Sequence, residues 1–267
     1  MSSTAKIFHD LHSSSELFIL PCAWDAASAR LFEDAGAKAI ATTSAGVAWA
    51  LGYPDGNVLP TEKLAALVSS ITRTIRLPLS VDVEAGYTDD PAKIPQKLKP
   101  VFEAGAVGIN IEDGEGEPEL LARKIEQARK TADSAGVKVF INARTDVYLN
   151  QVGTSESWVG ETVSRAARYQ AAGADGIFVP GLIDAKAIKA IAGQLKLPLN
   201  VMAWPTLPPA KELQTLGVRR LSTGQTISQV IWNHASELAR KVLETGDSRV
   251  VTTGGMAYSK LQELFTR

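Results

Sequence analysis

The feature that most constrains this chain is a repeat. Ala35-Gly36-Ala37 runs into Lys38-Ala39-Ile40, Ala104-Gly105-Ala106 into Val107-Gly108-Ile109, and Ala172-Gly173-Ala174 into Asp175-Gly176-Ile177. These copies begin at residues 35, 104 and 172, spacings of 69 and 68. A weaker copy, Leu216-Gly217-Val218, precedes Arg219-Arg220-Leu221. A glycine so placed fits the left-handed position that closes a helix, and each copy leads into a short apolar run. Each interval then holds two strand–helix units. Eight such units in 267 residues take about 33 residues each, which suits an eightfold barrel of roughly 250 residues.

Filling the intervals predicts strands near 17–22, 38–43, 78–84, 107–112, 138–146, 176–180, 198–203 and 219–223. Helices are expected near 25–36, 61–75, 91–104, 118–135, 155–172, 184–194 and 208–216, with a longer one near 226–245 and a last one near 256–266. The strands are short apolar runs rather than alternating ones, as buried parallel strands are. The expected fold is α/β: a (β/α)₈ barrel of the TIM type, one domain over residues 1–267, with extra C-terminal helices from about 226. An open doubly wound sheet is the rival.

Composition narrows the function. The 28 Lys and Arg against 29 Asp and Glu leave no strong positive field for a nucleic acid. Cys22 is the only cysteine, so no internal disulfide forms and no cysteine-rich zinc site is built. Met1 to Asp10 lacks an apolar leader segment, and no apolar run approaches the length of a membrane span, so a soluble cytoplasmic protein is expected.

In a parallel barrel the chemistry sits at the C-terminal ends of the strands. Strand residues two apart share a face, so Asp82 and Glu84 are expected to project together, and Asn142, Arg144 and Asp146 to do the same. Glu112 ends the strand between them. Crowded carboxylates must be protonated, balanced by arginine, or gathered round a cation. Oxygen-only ligands suit Mg²⁺, which takes one or two carboxylates and keeps its waters, with Mn²⁺ as the alternative ion. Asp113 points the other way, and Asp25 is placed as a helix N-cap. Cys22 is taken as a small buried residue, since no histidine lies near it in sequence. Trp24, Trp49 and Trp204 suit either a pocket wall or the core.

Several stretches together resemble the isocitrate lyase/phosphoenolpyruvate mutase superfamily. They are Trp24-Asp25-Ala26-Ala27-Ser28-Ala29-Arg30, Thr42-Thr43-Ser44-Ala45-Gly46-Val47, Gly52-Tyr53-Pro54-Asp55, Asp82-Val83-Glu84-Ala85-Gly86-Tyr87, Ile109-Asn110-Ile111-Glu112-Asp113, Ala143-Arg144-Thr145-Asp146 and Leu199-Asn200-Val201. The resemblance implies Mg²⁺ and a small 2-oxo mono- or dicarboxylate handled through its enolate. It implies Asp82 as direct metal ligand, with Glu84 and Glu112 acting mostly through water. Thr43, Ser44 and Ala45 would hold the carboxylate and enolate oxygen, Arg144 would clamp the carboxylate, Asp55 would stand over the reacting group, and Asn200 would hold the distal group. It also implies a C-terminal helix exchanged between subunits in a homodimer or homotetramer. The Lys-Lys-Cys-Gly-His loop of the family's lyases is missing, since only Gly114 to Glu117 precedes Pro118. Decarboxylation of an oxaloacetate-like acid is therefore expected over cleavage of isocitrate. The alternatives are a phosphonopyruvate-type P–C bond hydrolase or mutase, and a 2-oxoacid-binding protein with little turnover.

Overall fold

A computed structural model of the chain describes residues 3–266. Its strands are β1 (Phe18–Leu20), β2 (Cys22–Ala23), β3 (Ile40–Thr42), β4 (Leu79–Asp82), β5 (Gly108–Glu112), β6 (Phe140–Arg144), β7 (Gly176–Phe178), β8 (Leu199–Met202) and β9 (Val218–Ser222). All pair in parallel in the order β1-β9-β8-β7-β6-β5-β4-β3-β2. The expected first strand is thus two segments divided at Pro21, one joined to each neighbour. Pro21 has no N–H to donate, but its carbonyl accepts from Ala41 N–H at 2.9 Å, while Leu20 O accepts from Thr223 N–H at 3.2 Å. The two segments close the sheet into a barrel with eight strand positions.

The helices are α1 (Ser3–Ser13), α2 (Ala26–Asp34), α3 (Ser44–Ala50), α4 (Thr61–Thr74), α5 (Ile94–Glu103), α6 (Pro118–Ser134), α7 (Trp158–Ala171), α8 (Ala185–Ala192), α9 (Ala210–Thr215), α10 (Thr226–Thr245), α11 (Arg249–Thr252) and α12 (Tyr258–Phe265). The repeated glycines close helices as expected: Gly105 and Gly173 both sit at φ +107°. Asp25 caps α2 in a reciprocal box with Ser28. Outward residues of the strands, such as Val81, Ile109, Ile111 and Ile141, pack with helix residues such as Leu98, Ile125 and Ile188 in the main core.

Besides the short α11, two helices lie outside the expected map. One is α3, which starts directly after β3. The other is α1, whose Ala5 and Phe8 are buried with Phe18, Leu20 and Phe140 in a second, smaller core inside the barrel. His12 stacks on Phe140 with ring centres 3.9 Å apart. This aromatic cluster fills the end of the barrel opposite the strand C-termini.

The 20-residue α10 behaves differently from the other helices. Among the described residues it buries Ser228 alone. Val230 is 67% exposed and Leu243 86%. Beside α1 and β1 lies an apolar groove of about 430 Å³, lined in part by Leu11, Leu17, Ile19 and Phe32.

Candidate active site

A cavity of about 270 Å³ opens at the C-terminal ends of the strands, and Thr43, Ser44, Ala45, Asp55, Asp82 and Arg144 all line it. Trp49 and Trp204 contribute to its wall, as do Leu149, Phe178 and Met202. Trp24 instead packs against Trp232, with ring centres 5.8 Å apart. That volume admits a small organic acid and falls at the low end of ligand pockets.

Asp82 ends β4 and is held from two sides. Its Oδ1 accepts from Glu84 N–H at 3.2 Å and its Oδ2 from Ser44 N–H at 3.4 Å, while its own N–H donates to Thr42 Oγ1 at 2.9 Å. Burial raises its pKa against the opposing pull of Arg144.

Glu84 does not project beside Asp82 along a strand. The strand ends at Asp82, and Glu84 takes φ +50°, a left-handed conformation that breaks the alternation. Its carboxylate accepts from Gly56 N–H at 3.0 Å and from Asn57 N–H. Asn57 Oδ1 in turn accepts from Ala85 N–H at 3.0 Å and Tyr87 N–H at 3.3 Å. Glu84 therefore fastens the loop that carries Asp55 to the loop after β4.

Arg144 is the cation of the rim. Its Nε and Nη2 donate to Asp146 at 2.6 and 2.9 Å, a fork-to-carboxylate pair, and its Nη1 lies 2.6 Å from Glu112. Burial pushes Glu112 up to about 8 despite that guanidinium, and Asp82 and Asp146 add to the rise. Asp146 is fixed from behind, since its N–H donates to Asp113 Oδ1 at 2.9 Å. Asp113 faces away from the cavity and binds Arg165 Nη1 at 2.9 Å and Tyr169 OH at 2.6 Å.

Asn200 was expected to meet the distal part of a ligand, but it lies beneath the cavity. Its Nδ2 reaches Val201 O, Arg220 O and Ser222 Oγ at 2.7, 3.1 and 3.1 Å, and its Oδ1 accepts from Asn142. It pairs in register with Arg220, one step below the level of Met202 and Ser222. Arg220, whose inward position follows from the alternation of β9, is fully buried in this layer.

Among the described residues no three His, Cys, Asp or Glu side chains converge into a metal cage. Mg²⁺ needs fewer: one direct carboxylate and several waters suffice. The donors fit that case. Asp82 lines the cavity, Glu112 and Glu84 lie behind it, and burial raises the pKa of all three, which a divalent cation would relieve. The loop after Glu112 is short and pinned, with Gly116 N–H on Asp113 O at 2.7 Å and Asn150 Nδ2 on Gly114 O at 3.0 Å.

The family profile of phosphoenolpyruvate phosphomutase matches residues 8–243. An uncharacterized protein of Mycobacterium tuberculosis is 38% identical over 88% of both chains. Oxaloacetate decarboxylase 1 of Pseudomonas fluorescens is 29% identical over 79% of this chain and 75% of its own length. The crystal structure of a provisionally named phosphonomutase of Burkholderia cenocepacia superposes with a TM-score of 0.85 at 38% identity, covering 90% of this chain and all of that one.

Proposed function

The chain belongs to the phosphoenolpyruvate phosphomutase family, within the isocitrate lyase/phosphoenolpyruvate mutase superfamily, and on that premise we propose that it is a Mg²⁺-dependent lyase. It acts on a small 2-oxo carboxylic acid, with decarboxylation of an oxaloacetate-like substrate favoured. The observation that carries this reading is one small cavity in which Asp82, Arg144 and the 43–45 turn face one another.

When bound at Asp82, Mg²⁺ would supply positive charge to the carboxylate and keto oxygens of the acid. The protein's own groups do the rest. Arg144, its orientation fixed by Asp146, holds a carboxylate of the substrate. The Ser44 N–H makes only a long contact to Asp82, so it is free to donate to an oxygen that becomes negative. When the carbon–carbon bond breaks, CO₂ leaves and the electron pair moves into the 2-oxo group as an enolate. The enolate carbon then takes a proton from Asp55 or from water, because the pinned 114–117 loop brings neither cysteine nor histidine over the mouth.

The similarity to the Burkholderia protein supports a second reading, a phosphonopyruvate-type P–C hydrolase or mutase. Purified protein should be tested for pyruvate release from oxaloacetate, and for pyruvate with phosphate or for phosphoenolpyruvate from phosphonopyruvate, with Mg²⁺ and with EDTA. Metal-dependent turnover of oxaloacetate is the expected result, lost in Asp82→Ala. Turnover of phosphonopyruvate alone would select the second reading. Binding of 2-oxo acids without turnover would leave a binding protein.

We also infer that α10 is exchanged between copies of the chain. A long helix that buries one of its residues, set on a barrel with an apolar groove on its flank, leaves two apolar surfaces that a second copy would cover.

A further inference from the structure

Beneath the cavity the barrel holds a positive charge with no carboxylate in hydrogen-bond contact with it. Alternate residues of β9 face inward, which brings Val218, Arg220 and Ser222 to the interior. Arg220 is 0% exposed. Its Nε donates to Ser222 Oγ at 3.0 Å and its Nη2 to Asn110 Oδ1 at 3.2 Å, while its Nη1 has no partner. None of the ion pairs among the described residues includes it; the rim acids Glu112 and Asp146 are paired with Arg144. Burial lowers its pKa to about 10 against the upward pull of Cys22 and Asp82, which still leaves it charged at neutral pH.

A guanidinium only donates hydrogen bonds. Whatever faces it must therefore offer an acceptor. Asn110 Oδ1 accepts from Arg220 and also from Asn142 Nδ2 at 2.9 Å, so its own Nδ2 is left for the opposite side. Ser222 Oγ accepts from Arg220 and from Asn200 Nδ2, and its hydroxyl donates to Asn200 Oδ1 at 3.2 Å; Asn142 Nδ2 also donates to that oxygen, so the hydroxyl can turn to the cavity without leaving Asn200 Oδ1 unpartnered. Asn110 and Ser222 both line the cavity, as does Cys22, whose thiol is turned to Leu20 O at 3.8 Å. Arg220 thus sorts the polarity of the floor: acceptors turn down to it, donors are left for the cavity. Asp55 and Asp82 also line the cavity and suit a cation, Asp82 pairing in register with Asn110. The floor suits an anion.

We propose that Arg220 is a specificity-determining positioning residue that makes this floor a receptor for the second anionic group of a dianionic 2-oxo acid. The proposal rests on the reading of the cavity as a 2-oxo acid site. Arg220 acts through Asn110 and Ser222 and does not itself reach the ligand, so the site discriminates between substrates by charge number and not by length alone.

The test compares binding of oxaloacetate, phosphonopyruvate and pyruvate to the full-length protein with Mg²⁺, by competition calorimetry, together with KM and kcat for whichever acid turns over. In the wild type both dianions should bind more tightly than pyruvate. Arg220→Gln should weaken the dianions about tenfold or more, the loss of a hydrogen-bonded, charge-assisted subsite, and leave pyruvate nearly unchanged. Arg220→Lys should restore part of the difference. A loss confined to oxaloacetate would assign the floor to a carboxylate, and one confined to phosphonopyruvate to a phosphonate. If Arg220→Gln fails to fold, Ser222→Ala and Asn110→Ala keep the cation and remove the floor donors, and the same dianion-selective loss is expected. Equal loss for mono- and dianions in folded variants, or no loss, overturns the proposal. A wild type that binds dianions and pyruvate equally overturns it alone, whereas a wild type that binds none of the three overturns the 2-oxo acid reading and the proposal with it.

Discussion

Asp113→Ala should destabilise the fold by about 4 kcal/mol, although this residue directly follows β5 and faces away from the cavity. The Asp113 side chain is 0% exposed and its partner Arg165 9%. Removing one member of a buried ion pair costs about 3–5 kcal/mol, because the other charge is left without compensation. Arg165 keeps a second partner, Glu161 at 2.7 Å, but that carboxylate is 37% exposed and screened, so the loss falls toward the lower end. The Tyr169 hydroxyl and the Asp146 N–H each lose a buried acceptor as well, adding about 1 kcal/mol together after local rearrangement. Urea unfolding at neutral pH, followed by circular dichroism, reads the difference. Arg165→Met in the same background should be less than additive, since the double variant no longer buries an unpaired cation. A loss below about 1 kcal/mol, or strict additivity, would show that Asp113 is solvated and does not brace Asp146.

Arg144→Met should raise KM for the 2-oxo acid by at least about tenfold, since a bidentate charge-assisted contact is removed, while the melting curve stays cooperative; an unchanged KM would mean that Arg144 serves only Glu112 and Asp146. Stability of the metal-free protein should fall as pH rises from 6.5 to 8: Glu112, raised from 4.5 to about 8, keeps its proton in the folded state and has lost it in the unfolded one, so unfolding releases a proton. His12, held near 3 by burial, opposes this only below its ordinary 6.5, which sets the lower edge of the window; saturating Mg²⁺ should flatten the slope, and a melting temperature that rises with pH in the absence of metal would refute the assignment. Light scattering at micromolar concentration should show a multiple of 28.5 kDa, and Leu243→Asp with Ile231→Asp should shift it toward the single chain; a wild type at 28.5 kDa alone would remove the case for helix exchange.

The barrel was legible because its repeat lies in local backbone chemistry. A glycine at a helix end and a short apolar run after it need no long-range information, and Gly105 and Gly173 adopt the left-handed conformation that the pattern requires. What escaped depends on distant contacts. The face of α1 that bears Ala5 and Phe8 makes sense only once Phe18 and Phe140 are beside it. The break in the first strand follows from Pro21, visible in sequence, but its consequence, one segment serving each neighbour, depends on closure of the sheet. Period-two counting brought Asp82 and Arg144 to the cavity, and it failed at Glu84, where a positive φ ends the strand geometry. Asn200 shows a third limit: a matching motif gives the residue and not its depth in the barrel. The same counting on Val218-Arg219-Arg220-Leu221-Ser222 places Arg220 inward, but a charged side chain inside an apolar barrel is discounted until its acceptors are seen.

Depth is also what separates the two charges of the site. Phe18 pairs in register with Arg220, and with Phe8 and Phe140 it closes the barrel, with His12 held neutral among them. A protonated His12 would face Arg220 across a dry interior; its depressed pKa spares the barrel that repulsion. The plug also keeps water away from the lower face of the guanidinium. In a medium of low polarisability a charge acts over longer distances than in water, so the field of Arg220 finds its screening mainly on the side of the cavity. Opening the plug should therefore weaken anion binding without touching a residue of the site. Phe8→Ala removes a fully buried ring that packs 5.7 Å from Phe140 and 6.2 Å from Phe18, at about 3–5 kcal/mol of stability. In whatever fraction remains folded, affinity for a dianionic 2-oxo acid should fall relative to pyruvate. If the two acids keep their wild-type ratio in that variant, the plug closes the barrel mechanically and contributes nothing to the electrostatics above it.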